Sequence, residues 1–287
     1  MNRTTLRLRN NRSLKYGGAS IPMMFGIVNV TPDSFSDGGR FLDPDYALRG
    51  ALEMLDAGAC AVDLGAESTR PGAEEAPAAL EIERLVPVVK ELKKLRPDAI
   101  VSIDTRKAPV AAAVLEAGAD IINDISAMTF DPDMASVIAA YDAAVILMHM
   151  RGTPQTMQNP EYLVYEDVCD EVAAYLESAC SRAVEAGIHP ESILLDPGLG
   201  FAKTMEQNFE LVRGAFRLKE RLDAPLFYAP SRKSFLAGIC PGKRASERDF
   251  ATGGVLCALA AQKVEFVRVH HVVMAKETML SFVSCSA

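Results

Sequence analysis

Three polar side chains that could bind a flat, donor-rich ring stand at the ends of short apolar runs. They are Asp104, Asn123 and Asp196. A buried carboxylate is costly unless it accepts hydrogen bonds, and an amino group beside a ring N–H offers it two parallel donors. The pattern predicts a pocket for a planar heterocycle. The alternative for such acids, and the better one for Asp124, is a structural role as a cap or an ion-pair partner.

Basic residues recur at similar positions, although the chain has a net charge of −8. This charge argues against a nucleic-acid partner held by an overall basic surface. An acidic protein that holds an anionic substrate must concentrate its cations in one place, and five of them fall at predicted rim positions. They are Arg70, Lys203, Lys233, Arg268 and His270.

Two long segments between elements carry the most specific strings of the sequence. They read NVTPDSFSDGGRF over 29–41 and ESTRPGAEE over 67–75. Their Gly, Pro, Ser and Asp content is typical of loops that close over a substrate. Turn chemistry does not explain Phe35 and Arg70 in otherwise polar loops, so we expect both side chains to contact a ligand.

The elements that position these residues form a regular series. Eight apolar runs alternate with helical stretches, and Gly58, Gly118 and Gly187 are placed to end three of the helices. Continuous apolar runs are typical of parallel strands buried on both faces, and barrel enzymes carry their chemistry at the C-terminal ends of such strands. The sequence predicts an α/β fold, a single (β/α)8 TIM barrel. The runs are Met23–Val30, Cys60–Leu64, Ile100–Ile103, Ile121–Ile122, Ala144–Met148, Ile193–Leu195, Leu226–Ala229 and Phe266–Val269.

The length of 287 residues fits one barrel, over residues 21–287, preceded by a basic segment over residues 1–20 that covers the barrel bottom. That segment lacks the apolar core of a signal peptide, and no run is long enough to span a bilayer, so we expect a soluble, cytoplasmic protein. The six cysteines and four histidines show no metal-ligand spacing. Reduced thiols and no structural zinc are expected.

At these positions the chain resembles the dihydropteroate synthases of the pterin-binding barrel family. Eight strings carry the resemblance, in order and each near a predicted strand end, over residues 21–273. They are NVTPDSFSDGG, ESTRPGA, SIDT, INDIS, LMHMRGTPQTMQ, LDPGLGFAKT, SRKSF and RVH.

The resemblance implies a reaction of folate biosynthesis: 6-hydroxymethyl-7,8-dihydropterin pyrophosphate and para-aminobenzoate condense to 7,8-dihydropteroate and pyrophosphate. It also implies Mg²⁺ as the cofactor, held at Asn29, and a homodimer formed through late helices. Sulfonamides are expected to compete with para-aminobenzoate. No nucleic acid or membrane partner is expected.

The resemblance also assigns roles to residues. Those implied for the pterin are Asp104, Asn123, Met148, Asp196, Lys233 and Arg268. Those implied for pyrophosphate are Thr69, Arg70, Arg268 and His270, and those for para-aminobenzoate are Phe35, Pro71, Phe201 and Ser234, the last at the start of a helix. The residues implied in catalysis are Asn29, Asp37, Arg70, Lys233, Arg268 and His270, with Asp37 helping the amine lose its proton.

The chain departs from the usual family pattern at three places. Ala66 replaces the second residue of a Gly pair, and Tyr228–Pro230 replaces a small, Gly-bearing segment before SRKSF. His271 stands where Asp is common, which removes a carboxylate that could orient His270.

Three alternatives remain open on the sequence. A methyltetrahydrofolate:corrinoid methyltransferase shares the barrel and its pterin-binding acids, but has no need of the TRPGA and SRKS strings. A homologue that has lost catalysis is expected to lack Asn29, Arg70, Lys233 or His270, all of which are present. A general phosphate-binding barrel is disfavoured because no Gly-rich phosphate loop follows the seventh strand.

Overall fold

The computed structural model describes residues 4–30, 44–67 and 75–286. Five residues implied in function therefore lie outside the described residues, and their roles stay predictions. They are Phe35, Asp37, Thr69, Arg70 and Pro71.

The described residues form a parallel barrel preceded by a hairpin. The hairpin strands are β1 (Thr5–Arg7) and β2 (Ser13–Lys15), which pair antiparallel. The barrel strands are β3 (Met23–Asn29), β4 (Ala61–Gly65), β5 (Val101–Asp104), β6 (Ile121–Asp124), β7 (Ala144–Met148), β8 (Ile193–Asp196), β9 (Phe227–Tyr228) and β10 (Phe266–Val269). The helices are α1 (Pro44–Asp56), α2 (Ala78–Leu95), α3 (Ala108–Ala117), α4 (Met134–Ala140), α5 (Val168–Glu185), α6 (Met205–Arg213), α7 (Ala215–Arg221), α8 (Asp249–Ala261) and α9 (Val272–Ser286).

The eight strands β3 to β10 follow one another in the sheet in chain order, with β10 beside β3. A single parallel bridge between Leu195 and Leu226 brings the β8 and β9 ends together. The predicted (β/α)8 barrel is confirmed, and every predicted apolar run overlaps a strand. The three helix-ending glycines also take the expected left-handed backbone, with φ of +100° at Gly58, +115° at Gly118 and +95° at Gly187.

The N-terminal hairpin packs against the starts of the barrel strands. Leu6 and Leu8 are buried in one apolar cluster with Phe25, and the ring of Tyr16 lies 5.1 Å from that of Phe266. The same cluster takes in the first residues of several strands, so the hairpin lies at the end of the barrel where the strands begin. Polar bonds hold its rim: Arg7 pairs with Asp142 at 2.8 and 2.7 Å, and Arg12 pairs with Asp120 at 2.5 Å.

No helix among the described residues is long and apolar enough to cross a membrane.

We expect Leu6→Ala to lower the free energy of unfolding by about 2–5 kcal/mol, because it empties a fully buried volume. Urea unfolding measures the loss, and Leu14→Ala on the facing strand is the matched control. Leu14 pairs with Leu6 but is only half-buried, so its loss should be smaller. Equal losses from the two variants would contradict the packing described.

Candidate active site

The three polar residues predicted to bind a ring lie at the C-terminal ends of neighbouring or nearby strands. Asp104 ends β5 and pairs in register with Asn123 of β6, and Asp196 ends β8 beside Met148 of β7. Asn123, Asp196 and Met148 are buried, and Asp104 is nearly so. The barrel therefore brings three oxygen-bearing side chains and one thioether to its C-terminal end.

Arg268 joins this group from β10. One of its terminal nitrogens donates to Asp104 at 2.9 Å and to Asp63 at 2.5 Å. Burial by itself lowers the pKa of the guanidinium, but the two carboxylates outweigh it and the net direction is upward. Arg268 is a fixed cation deep in the barrel mouth.

Asp63 is a site residue that the sequence reasoning missed. It lies inside β4, in the run AVDLG, with a fully buried side chain. Its carboxylate accepts from Ser102 at 2.5 Å and from the amide nitrogen of Asn123 at 3.1 Å, besides Arg268. A lone acid within an otherwise apolar buried strand was the available signal, since such a residue is rare unless it is paired.

The charges around Asp104 change its acidity. Burial raises the pKa of Asp104 to about 6, and the negative charge of Asp63 adds to this effect while Arg268 opposes it. The side chain therefore takes up its proton at a higher pH than an exposed aspartate does.

Asp124, the neighbour of Asn123, has a structural role, but in a turn and not at a helix start as its alternative interpretation expected. Its carboxylate accepts from the backbone and hydroxyl of Ser126, at 2.7 and 2.6 Å, and from the backbone of Met128 at 2.9 Å. It fixes the turn after β6 and takes no part in the site.

Asp196 is held by the turn that follows β8. Its carboxylate accepts from the backbone N–H of Gly198 at 2.7 Å, and burial raises its pKa against the opposing charge of Lys233. Gly198 has φ of +71°, and a Cβ there would collide with the carbonyl oxygen of His149. Only glycine fits this turn, because any side chain would overlap the backbone after β7.

Lys233 reaches the same turn from the loop after β9. Its ammonium donates to the carbonyl of Leu199 and lies 4.7 Å from the centre of the Phe201 ring. Burial lowers the pKa of Lys233 to about 8, while the charge of Asp196 opposes the decrease. The site therefore combines acceptors from three strands with one cationic donor.

Lys203 is not part of the rim of cations that the sequence predicted. Its side chain is buried, and its ammonium bonds to Nδ1 of His149 at 2.9 Å and to the carbonyls of Phe201 and Gly198, at 2.9 and 3.1 Å. Burial lowers the pKa of both Lys203 and His149. Because its described bonds use three donors, we assign Lys203 to fixing the turn after β8 and not to binding an anion.

His270 follows β10 and contacts the SRKSF string. Its Nδ1 lies 2.9 Å from the hydroxyl oxygen of Ser231, which also accepts the backbone N–H of His270 at 3.2 Å. The role lost with the usual Asp is thus covered by Ser231. His271 instead accepts the backbone N–H of Met274 at 3.1 Å, in the first turn of α9.

The SRKSF string has a strained backbone that a tight ion pair holds. Arg232 takes φ of +61°, which is uncommon for a residue with a side chain. Two bonds of 2.7 Å join it to Asp249 of α8, and its backbone N–H donates to Thr252 at 3.1 Å. This turn sets the directions of Ser231 and Lys233 on either side of it.

The residues implied for an aromatic acid are only partly within the described chain. Phe201 is buried in a small apolar cluster with Met148, and Ser234 is exposed. The helix that Ser234 opens is a five-residue 3₁₀ helix, Ser234–Gly238, so the dipole expected to favour a carboxylate there is small.

A buried ion cluster ties together the two flanks of the segment 68–74. Lys107 bonds to Glu67 at 2.9 Å before the segment, and to the carbonyl of Ala76 at 2.6 Å and Glu75 at 3.7 Å after it. Glu81, which is fully buried, accepts from the same ammonium at 2.5 Å. Lys107 thus fixes the positions at which this segment leaves and rejoins the barrel.

Asn29 ends β3 with an exposed side chain, at the same end of the barrel as His270 of the neighbouring strand. Across the described ranges, no three His, Cys, Asp or Glu side chains are grouped to hold a metal ion. A single amide oxygen beside an anionic ligand suits Mg²⁺, which keeps several waters and takes few protein ligands. The donor set fits that ion and not a cation that needs a full protein cage.

Comparison with known proteins agrees with this geometry. The model of the pterin binding enzyme family matches residues 25–270. A dihydropteroate synthase of Synechocystis sp. is 45% identical over 249 residues, which are 87% of this chain and 85% of that protein. A Yersinia pestis dihydropteroate synthase, solved with a sulfonamide drug complex, is 37% identical with a TM-score of 0.89 over 99% of this chain and 100% of that one. The Xanthomonas albilineans enzyme with 4-aminobenzoic acid is 32% identical, with a TM-score of 0.87 over 99% of both chains.

The chain therefore belongs to the family of pterin binding enzymes, which are barrels with their chemistry at the C-terminal rim. The relatives that it matches over most of both chains are dihydropteroate synthases, transferases of folate synthesis, and the chain is a member of this group.

Ser231→Ala should change the tautomer populations of His270, because the hydroxyl next to Nδ1 is lost. We expect the wild-type ring to carry its proton on Nε2 when neutral, with Nδ1 accepting from Ser231, and the variant to show a mixture. Nitrogen-15 chemical shifts of the histidine rings measure the two forms. Ser231→Thr keeps a hydroxyl and serves as the control. A wild-type spectrum that already shows a mixture would contradict the orienting role.

Proposed function

We propose that this site joins 6-hydroxymethyl-7,8-dihydropterin pyrophosphate to para-aminobenzoate, giving 7,8-dihydropteroate and pyrophosphate. The observation that carries the proposal is the set of acceptors at the C-terminal end of the barrel. Asp104, Asn123 and Asp196 present oxygens from three strands, and Lys233 adds a donor beside them. A pterin edge has N–H donors on one side and acceptors on the other, so it matches this arrangement.

The ring is placed between Met148 and Arg268, the first of which is buried beside Phe201. Lys233 donates to a ring acceptor in place of its bond to Leu199. The exchange changes the hydrogen bonding of Lys233 little, because the desolvated ammonium gives up one carbonyl acceptor and gains another.

Charge at the rim holds the leaving group. Arg268 and His270 stand at the end of β10, and Ser231 orients the His270 ring. Thr69 and Arg70, outside the described residues, complete this predicted group of donors. Positive groups aimed at the bridging oxygen stabilise the negative charge that develops as the methylene carbon–oxygen bond breaks.

Asn29 is the residue that would hold Mg²⁺, and the ion supplies further neutralisation of the pyrophosphate charge when it is bound. The cofactor stays part of the proposal, and its support is the exposed amide at the end of β3.

The aromatic amine attacks the methylene carbon as pyrophosphate leaves. The new carbon–nitrogen bond replaces the broken carbon–oxygen bond, and the amine loses one proton, for which Asp37 is the predicted acceptor. Phe201 is proposed to line the slot for the aromatic ring and Ser234 to bind its carboxylate, with Phe35 and Pro71 as predicted neighbours. Positioning of the two substrates supplies much of the rate enhancement.

The homodimer is likewise part of the proposal. Its support is the apolar surface of the last helices, where Phe250 is 88% exposed and Val273 and Leu280 are also exposed. The cytoplasmic location expected from the sequence stays a prediction.

Pyrophosphate release by the purified protein tests the proposed reaction. With the dihydropterin pyrophosphate and Mg²⁺, we expect product of the mass of dihydropteroate only when para-aminobenzoate is also present. A sulfonamide should raise the apparent KM for para-aminobenzoate and leave kcat unchanged. Tight pterin binding without turnover would instead favour the homologue without catalysis or the methyltransferase.

Pterin affinity should have a bell-shaped pH dependence. Asp104, with a pKa of about 6, accepts more strongly when it is ionised, so affinity rises as pH increases through that value. Lys233, with a pKa of about 8, must be protonated to donate, so affinity falls above it. Calorimetric binding of 6-hydroxymethylpterin from pH 5 to 9 measures both limbs without titration of a pyrophosphate, and the ionisation of the free pterin, measured in the same buffers, is subtracted from the alkaline limb.

Two variants show which residue causes each limb of the pH profile. Asp104→Asn should weaken binding and remove the acid limb, whereas Lys233→Arg should shift the alkaline limb out of the measured range, because arginine stays protonated. A profile that is flat in the wild type would show that neither group controls binding.

A further inference from the structure

The buried carboxylate of Asp63 is surrounded by donors from three other strands. Ser102 of β5, Asn123 of β6 and Arg268 of β10 all donate to it, at 2.5, 3.1 and 2.5 Å. Asp63 lies beside Ser102 in the strand register, two residues deeper than Asp104. It is therefore below the layer of side chains that we assign to the pterin.

The carboxylate decides which way the Asn123 amide faces. An ionised carboxylate only accepts, so Asn123 must turn its NH₂ group toward Asp63 and its carbonyl oxygen away. That oxygen is buried and has no hydrogen-bond partner within the described part of the chain. A buried acceptor left without a donor is costly, which indicates that a ligand supplies the donor.

The same carboxylate also fixes Arg268. One guanidinium nitrogen lies between Asp63 and Asp104, which share it. If Asp63 were neutral, this nitrogen could bond fully to Asp104 and reduce the capacity of Asp104 to accept from a ligand.

We propose that Asp63 is the positioning residue of the pterin pocket: without touching the ligand, it turns the Asn123 oxygen into the pocket and divides Arg268 between two carboxylates. This role rests on the proposed function, because it specifies how Asn123 comes to present an acceptor beside those of Asp104 and Asp196. The occupant it selects is a ring edge made of N–H donors.

The Asp63→Asn variant tests the role because its side chain has one acceptor oxygen, whereas Arg268 and Asn123 both donate to the carboxylate of the wild type. Arg268, being charged, should take that oxygen, and the new NH₂ group should then force Asn123 to turn its own NH₂ group into the pocket. We expect the Kd for 6-hydroxymethylpterin to rise about ten- to hundredfold, since a buried donor of the pocket then faces a donor of the ligand. The KM for para-aminobenzoate should change less than twofold.

The pH profile separates this role from general damage. The charges that face Asp104 include those of Arg268, Asp63, Glu81 and Lys233. Removal of the Asp63 charge should lower the pKa of Asp104, so the acid limb of pterin binding moves to lower pH. A loss of packing alone gives no reason for a shift in that direction.

The double variant with Asp63→Asn and Asn123→Asp should restore binding. The carboxylate introduced on β6 can accept from the new amide on β4 and still present an oxygen to the pocket, and the net charge returns to that of the wild type. We expect a Kd within about fivefold of wild type, and this variant carries the test if Asp63→Asn does not fold. In the single variant Asn123→Asp, the new carboxylate lies beside those of Asp63 and Asp104, so this variant should bind the pterin poorly.

Asp124→Asn is the matched control, because it makes the same change at a fully buried acid of β6 that only holds a turn. Its pterin affinity should stay close to that of the wild type. Wild-type affinity and an unshifted acid limb in Asp63→Asn would overturn the inference, as would a double variant that binds no better than the single ones. Wild-type protein without turnover would instead overturn the proposed reaction, so the two failures are distinguishable.

Discussion

The shared hydrogen bonding of Arg268 to two buried carboxylates is the interaction on which the site depends. Asp63 and Asp104 come from neighbouring strands, and Arg268 crosses the barrel mouth to reach both. Isolated charges at this depth are prohibitively costly, and a buried pair is stable only when its remaining atoms are also bonded. Ser102 and Asn123 meet that need for Asp63. The polar groups at the C-terminal end of the barrel therefore form a network in which each group fixes the next.

Turns that can adopt only one backbone conformation position the rest of the rim around this network. The turn after β8 is closed by Gly198 against the backbone of His149, and Lys203 holds it from below through its two carbonyl bonds. The same turn places Leu199 and Phe201 beside Lys233. Asp196 and Lys233, which carry opposite charges, are thus brought close without forming a direct ion pair among the described contacts. Each keeps a polar atom that a ligand can use.

The barrel could be predicted from the sequence because its signals are local. Eight apolar runs, each followed by a polar residue, fix both the strand type and the end of the barrel where chemistry occurs, and Asp104, Asn123 and Asp196 were found in this way. Asp63 could not be assigned on the same grounds, since its role depends on a partner that lies 205 residues away in the chain. Lys203 was misassigned because sequence position alone does not tell whether a lysine after a strand points into the rim or under a turn. The segments 31–43 and 68–74 carry five predicted residues whose roles the sequence alone supports.

The distribution of buried polar groups also explains why this pocket discriminates between ring ligands. A pocket lined by apolar groups discriminates weakly between rings of similar size, whereas one that holds buried acceptors rejects any ligand that leaves them without donors. Asn123 already has such an acceptor, and burial has raised the pKa of both Asp104 and Asp196. A ring that donates to all three relieves these costs together, and a ring that lacks one donor leaves a carboxylate or an amide desolvated and unbonded. The pterin edge is then recognised because the strand ends place several desolvated acceptors side by side. Affinity should therefore depend more on the number of ligand donors that match these acceptors than on the area of the ring.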